Sequence, residues 1–324
     1  MALAAPTVWV VHDGKVGMAN QVIGLAEAVG FGFAEKRLVI RAPWRHLAPQ
    51  LWLHPLAALS PEGDRLAPPW PDLLIACGRL AIAPALAAKR ASSGRIFWVQ
   101  VQDPRYARGA VDLMVVPDHD PARGANVFRT RGAVHRVTPQ QLAEGARRLA
   151  PRLAHLPHPL VAVLIGGNNK VYRLDETRFA ALADQLAALA RQGFGIAVTP
   201  SRRTGEAFEK LLRERLRGLP AFIWDGSGDN PYFGLLGLAD AVVVTADSVS
   251  MVSEAAATGK PVHVVDLDGG SAKFARFHRS MREAGITRPF TGAIESWRYA
   301  PLDDTARAAA EIRRRLTARL AEVA

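Results

Sequence analysis

The stretch LVAVLIGGNNK, residues 160–170, decides the fold. Its six leading apolar residues are too few for a helix. They show no polar alternation, which is the pattern of a parallel strand covered on both faces. The run stops at Gly166-Gly167-Asn168-Asn169-Lys170, and Glu176 to Gln192 then has the periodicity of a long amphipathic helix. Strand, glycine-bearing loop and helix in that order open a Rossmann-like unit. The alternation continues with a strand over Gly195 to Thr199, ending in Pro200-Ser201-Arg202-Arg203-Thr204, and a helix over Gly205 to Leu216. A strand at Ala221 to Trp224, the loop Asp229-Asn230-Pro231-Tyr232 and a short helix at Phe233 to Ala239 follow. Strand Ala241 to Thr245, helix Met251 to Thr258 and strand Val262 to Asp266 complete the series.

Toward the N-terminus the same alternation recurs. Thr7-Val8-Trp9-Val10-Val11 reads as a buried strand within the short apolar run of residues 1–11, which has no basic leader and ends at His12-Asp13-Gly14-Lys15. A helix is expected over Gly17 to Val29, with strands at Leu38 to Ile40, Asp72 to Ala76, Arg95 to Gln100 and Asp112 to Val116. A helix is expected at Ala81 to Lys89 and another at Gln140 to Leu153, closed by the proline-rich connection Pro151 to Pro159. A chain of 324 residues exceeds the size at which one core stops growing. The expectation is an α/β protein of two Rossmann-like domains with parallel sheets and a cleft between them, at residues 1–155 and 156–300. A C-terminal segment, 301–324, carries an amphipathic helix (Asp303 to Leu320) expected to pack back on the first domain.

Composition narrows the function classes. One cysteine, Cys77, excludes an intrachain disulfide framework and follows an apolar run as a small core residue would. The net charge of +11 is spread along the chain, much of it as arginine. Such a surface attracts phosphorylated ligands or anionic lipid. Nucleic acid is the weaker partner, because no zinc-finger spacing or aromatic RNA-binding strand is present. No apolar run approaches the roughly 18 residues of a spanning helix. No metal-ligand cluster, Gly-x-Ser-x-Gly elbow or P-loop is present either. Residues 41–70 stand apart: Trp44, Leu47, Leu51, Trp52, Leu53, Leu56, Leu59 and Trp70 are interleaved with Arg41, Arg45, His46, His54 and Arg65, among six prolines. Two readings stay open, an irregular part of the core and an apolar-basic patch resting on a membrane.

In open α/β sheets ligands lie beyond the carboxyl ends of the strands, and the unusual polar residues fall there. Gly166, Gly167 and Asn168 would let backbone amides approach a phosphate. Ser201, Arg202, Arg203 and Thr204 offer two guanidiniums flanked by hydroxyls for a diphosphate. Asp247, Ser248, Ser250 and Met251 sit where a helix begins, and Glu254, one turn on, could accept hydrogen bonds from a ribose diol. Trp224, Tyr232 or Phe233 could cover a base, and Asp266 with Asp268-Gly269-Gly270 could meet a transferred group. In the first half His12, Asp13, Lys15 and Asn20 follow the first strand, with Asp103 and Asp118 at later strand ends. Helix capping and tight-turn geometry are the competing explanations for these residues.

Asp240 to Val265 (DAVVVTADSVSMVSEAAATGKPVHVV) resembles the nucleotide-sugar-binding segment of GT-B glycosyltransferases, above all the lipid-linked N-acetylglucosaminyltransferase of peptidoglycan synthesis. That resemblance implies a ribose-binding role for Glu254, a phosphate-side loop at Ser250-Met251 and a domain-opening glycine pair at Gly166-Gly167. Over residues 7 to 299 the chain is also similar to a bacterial family named after a plant mitochondrial-fission protein. The motifs are His12-Asp13-Gly14-Lys15, Gly17, Asn20-Gln21, Gly166-Gly167, Ser201 to Thr204, Asn230-Pro231-Tyr232 and Thr245 to Glu254. Members have been labelled sugar-nucleotide epimerases, but the Tyr-x-x-x-Lys pair and Gly-x-x-Gly-x-x-Gly start of such enzymes are missing here.

These resemblances imply a metal-independent transferase that takes a nucleoside-diphosphate sugar as co-substrate, with no permanently bound cofactor. The acceptor, unidentified, would belong to the first domain, where the apolar-basic stretch around Trp44 and Trp52 would suit one carried on a lipid. There Asp13 or His12 would act as general base, and Lys15 would hold a phosphate or carboxylate. Arg202 or Arg203 would stabilise the leaving diphosphate. The expected partners are a nucleotide-linked small molecule and an anionic membrane surface, with the protein cytoplasmic and peripheral on the inner face of the membrane. A non-enzymatic adaptor of the same shape and a sugar-nucleotide epimerase or hydrolase are the alternatives.

Overall fold

The quoted run at residue 160 is a strand with all six residues buried, and the first expected strand, β1 (Val8–His12), is buried along its whole length. The computed structural model describes residues 5–323, so the part of the expected N-terminal strand region at 1–4 lies outside the described residues. Its residues group into two units, Met1–Arg136 with Asp303–Ala324, and Val137–Leu302.

In the first unit, β1 leads through helix α1 (Val16–Val29) to β2 (Phe33–Arg37). Then come β3 (Leu73–Cys77), α2 (Arg79–Ala91), β4 (Phe97–Val101), β5 (Leu113–Pro117) and β6 (Val127–Thr130). The sheet order is β2-β1-β3-β4-β5-β6, with every pair parallel. Alternate residues divide between two cores, as the two-residue period of a strand requires. Trp9, Val11, Leu74, Ala76, Trp98, Met114 and Val116 face one. Val8, Val10, Leu73, Ile75, Phe97, Val99, Leu113 and Val115 face the other.

The second strand lies at Phe33–Arg37, not at the expected Leu38 to Ile40. It is an edge strand with three of its five residues exposed, so it has no apolar run to announce it. Leu38 and Ile40 instead fill the core beside Trp52, Leu59 and Leu66. The stretch 41–70 is therefore irregular, with single 3-10 turns at Trp44–His46 and Pro49–Leu51, and it sends a few side chains such as Trp52, Leu59 and Leu66 into the core while leaving many of the others exposed. Arg79 fastens it by donating to the carbonyls of Leu47 and Arg45 at 2.7 and 2.6 Å.

The second unit opens with α3 (Pro139–Leu153), capped by the Thr138 hydroxyl. It continues with β7 (Leu160–Ile165), β8 (Tyr172–Arg173), α4 (Glu176–Arg191), β9 (Gly195–Pro200), α5 (Glu206–Arg215) and β10 (Ala221–Ile223). Next come α6 (Tyr232–Leu238), β11 (Ala241–Thr245), α7 (Val249–Ala256) and β12 (Val262–Val265), then β13 (Asp268–Gly269), α8 (Ala272–Glu283) and β14 (Thr287–Pro289). Its parallel sheet runs β10-β9-β7-β11-β12-β14, and β8 pairs antiparallel with β13. The helix α9 (Asp304–Val323) belongs to the first unit, where Ala308, Ala309, Ile312 and Leu316 enter the core shared with α1. Buried Asp304 anchors it by accepting from the backbone of Gly132 at 2.8 Å.

The division between the units falls at Arg136–Val137, ahead of α3, whereas the sequence places it near residue 155. Two glycines draw α3 to the second unit. A Cβ on Gly145 would lie 2.6 Å from the backbone nitrogen of Gly234, and one on Gly234 would lie 2.7 Å from the Gly145 carbonyl oxygen. Gly234→Ala is expected to lower stability by about 1–3 kcal/mol through overpacking, read by urea denaturation. Gly17→Ala, in a helix with open space at the Cβ position, should instead raise it by about 0.5–1 kcal/mol.

Candidate functional site

In the second unit's sheet, β9 and β11 flank the central β7 and the strand order reverses there. A doubly wound sheet opens a crevice at such a point, beyond the carboxyl ends of the strands. Gly166-Gly167 leaves β7, Ser201 to Thr204 leaves β9, and Ala246 to Ser250 leaves β11 into α7. The loops meet around one fully buried carboxylate, Asp247. Its Oδ1 accepts from the Thr245 hydroxyl at 2.6 Å. Its Oδ2 accepts from the Gly167 amide at 3.2 Å and forms an ion pair with the Arg203 guanidinium at 2.8 Å. Thr245 Oγ1 also accepts from the Gly166 amide at 2.8 Å, and Asn169 Nδ2 donates to the Asp247 carbonyl.

This arrangement explains the glycine pair. A Cβ on Gly166 would fall 2.2 Å from the Asp247 carboxylate oxygens, and one on Gly167, at φ +153°, would fall 2.1 Å from the Arg203 carbonyl oxygen. The Ser-Arg-Arg-Thr motif is likewise partly structural. Ser201 and Thr204 both direct their hydroxyls to the Gly166 carbonyl at 2.7 Å, and Arg203 is committed to Asp247. Arg202 is exposed beside them. Glu206 and Glu209 already supply negative charge in the first turn of α5. Asn168 turns its carbonyl oxygen to the Leu174 amide at 2.6 Å.

Ser248 caps α7 by accepting from the Met251 amide at 3.3 Å, so the capping explanation holds for that hydroxyl. Ser248, Ser250 and Met251 remain partly exposed at the helix start. One turn on, Glu254 is buried and accepts from the Tyr232 hydroxyl at 2.5 Å. Burial pushes its carboxyl up to about 7, against a smaller lowering by the Tyr232 hydrogen bond. Burial and the same carboxyl raise the Tyr232 phenol. Tyr232 opens α6, and beside that helix start lies a concavity of about 490 Å³. Arg148 and Arg152 of α3 line it with Asp229, Asn230 and Phe233. The two arginines carry no motif signal in the sequence, and Thr245 enters there only as the first residue of the Thr245 to Glu254 motif, not as a partner of Asp247. The i, i+4 spacing of Arg148 and Arg152 on a helix was the one available hint. Asp266 is exposed, and Asp268 pairs with Arg178 at 2.6 Å on the β8–β13 ladder.

In the first unit the strand order reverses between β1 and β3, and His12, Asp13 and Lys15 leave β1 there. The buried His12 ring is engaged at both nitrogens. Nδ1 accepts from the Gly14 amide at 3.0 Å, and Nε2 meets Glu35 at 2.9 Å. The structure thus leaves His12 no free ring nitrogen with which to act as a base. The carboxylate of Asp13 is almost wholly buried and pairs with the exposed Lys15 ammonium. Cys77 packs with Met18, and burial pushes its thiol up. The loop after β4 holds Gln102, Arg105 and Ala107 in the left-handed region, at φ 70°, 59° and 57°, a costly conformation for residues with a Cβ. Asp103, held low by Arg108 and Arg105 against the opposing effect of burial, is clamped within it and so occupied structurally. Asp118 pairs with Arg129 at 2.8 Å. Among the described residues, no group of three His, Cys, Asp or Glu side chains is placed to hold a metal ion.

The profile of the family described as Mitochondrial fission ELM1 matches residues 16–316. The chain belongs to that family. It is 37% identical over 277 residues to the mitochondrial fission protein ELM1 of Arabidopsis thaliana, a match covering 77% of this chain. The chain spans 65% of the plant protein's length. Among solved structures, the fold is similar to UDP-GlcNAc 2-epimerase from Methanocaldococcus jannaschii, with a TM-score of 0.58 at 11% identity over 96% of this chain and 99% of that one. It is also similar to Acinetobacter baumannii MurG, with a TM-score of 0.50 at 14% identity over 98% and 94% of the two chains. The α/β architecture with two parallel sheets is thus of the GT-B kind.

Three outcomes follow from the geometry. Asp247→Ala strips the half-exposed Arg203 guanidinium and two buried donors, the Thr245 hydroxyl and the Gly167 amide, of their partner, and should cost about 1–3 kcal/mol. Gly166→Ala should be markedly less harmful in that background than in the wild type, since its clash is with the missing carboxylate; a double-mutant cycle by urea unfolding checks this. For Glu254, the folded protein holds a proton that the unfolded chain releases near 4.5. The group's contribution to stability is therefore complete below about 4.5 and lost as pH rises through about 7. Glu254→Gln should be close to wild type at acidic pH and more stable by about 3 kcal/mol above pH 8, measured by denaturation across pH.

Proposed function

We propose that this chain is a metal-independent sugar transferase whose second unit binds a nucleoside-diphosphate sugar. The observation that carries the reading is the pairing, at one strand-order switch, of a partly exposed helix start at Ser248 to Met251 with the buried Glu254 carboxyl behind it. A helix N-terminus suits a phosphate. A buried carboxylate with a single hydroxyl donor has acceptor capacity left for a ribose diol. Arg202 supplies the mobile positive charge for the diphosphate, because Arg203 is held by Asp247. Phe233 and the Asp229–Asn230 loop serve the base, and the sugar lies toward Asp266 and Gly269-Gly270. No resident cofactor is required on this reading.

The first unit is assigned to the acceptor. Asp13 is the base, taking the proton of the acceptor hydroxyl as its oxygen bonds to the anomeric carbon and the bond to the diphosphate breaks. Lys15 both pairs with Asp13 and supplies charge for an anionic acceptor group. The negative charge that develops on the leaving nucleoside diphosphate is stabilised by Arg202 and the α7 start. A second reading, a non-enzymatic adaptor, is favoured by one observation: His12 and Asp103 are spent on internal hydrogen bonds.

A thermal-shift and calorimetric screen against UDP, GDP, ADP, CMP and their sugar conjugates separates the two. The transferase reading expects one nucleotide class to stabilise the protein, with binding weakened about tenfold or more in Glu254→Ala and Arg202→Ala. Failure of every nucleotide at saturating concentration overturns it. Because diol hydrogen bonds favour ionised Glu254, affinity should also rise as pH is raised through about 7, and Glu254→Gln should abolish that dependence.

A further inference from the structure

Three large apolar side chains stand out as exposed among the described residues: Val16, Leu51 and Leu53. The last two, 57% and 80% exposed, flank Trp52, which is only 5% exposed and sits in the core with Leu59 and Leu66. The backbone at Trp52 is extended, so neighbours on either side of an inward side chain face outward. The tryptophan is an anchor and the leucines are what it holds out. The mount is firm. The Trp52 indole donates to the Leu47 carbonyl, Arg79 donates to the carbonyls of Leu47 and Arg45, and Arg41 donates to that of Ala57.

Between Glu35 and Glu62, the chain segment that bears these leucines carries charge of one sign. Residues 36–61 contain Lys36, Arg37, Arg41 and Arg45 and no aspartate or glutamate. Arg41, Arg45, His46 and His54 are exposed. The guanidiniums of Arg41 and Arg45 meet a carbonyl and a histidine instead of a carboxylate, so their charge is not cancelled locally. No helix among the described residues is long and apolar enough to cross a membrane.

We propose that this segment is a membrane-docking surface, in which Leu51 and Leu53 insert into a bilayer whose anionic headgroups meet Arg41 and Arg45. Two leucines make too small an apolar centre for a stable protein interface, which needs roughly 800 Å² on each partner. Bilayer attachment, by contrast, works by adding one short apolar insertion to a basic patch. This surface stands independently of the sugar-nucleotide reading, since it lies in the first unit and uses none of the residues assigned to the nucleotide.

Flotation of the full chain with phosphatidylcholine vesicles, with and without phosphatidylglycerol, tests the proposal. Binding should require the anionic lipid and fall as salt is raised. Leu51→Ser/Leu53→Ser should bind about tenfold or more weakly, because each leucine loses its transfer into hydrocarbon. Arg45→Gln should weaken binding to anionic vesicles less steeply. Both leucines being exposed, the melting temperature of the double variant should match the wild type, and Leu51→Ala/Leu53→Ala gives a milder second probe. Undiminished vesicle binding by a folded leucine variant overturns the proposal. So does wild-type protein that ignores anionic vesicles, or a leucine variant that loses self-association or protein capture instead of lipid.

Discussion

A parallel strand covered on both faces has nowhere to put a polar side chain until it reaches its carboxyl end. Both sheets of this protein obey that constraint. β3 and β7 are apolar throughout, and β1 and β11 admit a polar residue only at their last positions, His12 and Thr245. The exceptions carry a visible cost. Gln100 in β4 and His263 in β12 are buried with a side-chain atom that finds no partner. Ionisable chemistry is thereby concentrated at the strand ends, where the loops are free to be glycine, serine, arginine and aspartate.

What happens at those ends depends on how many donors each buried carboxylate meets. Asp247 meets a hydroxyl, an amide and a guanidinium, so its charge is neutralised and the loops after β7, β9 and β11 are bound into one piece. Glu254, further along the same segment within α7, meets only a phenol, and its carboxyl holds its proton far more strongly than an exposed one. The first carboxylate is spent on structure. The second retains acceptor capacity and a proton to exchange, the properties a ligand-binding group needs.

The same distinction governs the first unit. Asp103 is clamped by Arg108 within a loop whose backbone is held in left-handed conformations, and His12 is locked by Gly14 and Glu35. Asp13 pairs with an exposed lysine, a partner free to move. Residues 41–70 divide in the same way, with Trp52 inward and Leu51 and Leu53 outward.

The sequence by itself determined that two parallel α/β sheets would form and where their central strands run, because uninterrupted apolar runs bounded by glycine leave few other folds. It also located the loops that carry the polar groups, including Gly166-Gly167, Ser201 to Thr204 and Asp247 to Glu254. It missed the edge strands Phe33–Arg37 and Val127–Thr130 and the closing elements α8 and β14, since edge and surface elements bury too little to leave a pattern. It placed α3 with the wrong neighbours, because the Gly145–Gly234 contact that attracts it joins residues far apart in the chain. Only the tertiary structure decided which glycine, hydroxyl and guanidinium are consumed in holding the loops and which remain for a ligand. That depends on distances between residues some forty to eighty positions apart, such as Gly166 to Asp247 and Arg203 to Asp247. A residue type names the bonds a side chain can make, and the fold decides whether they have already been made.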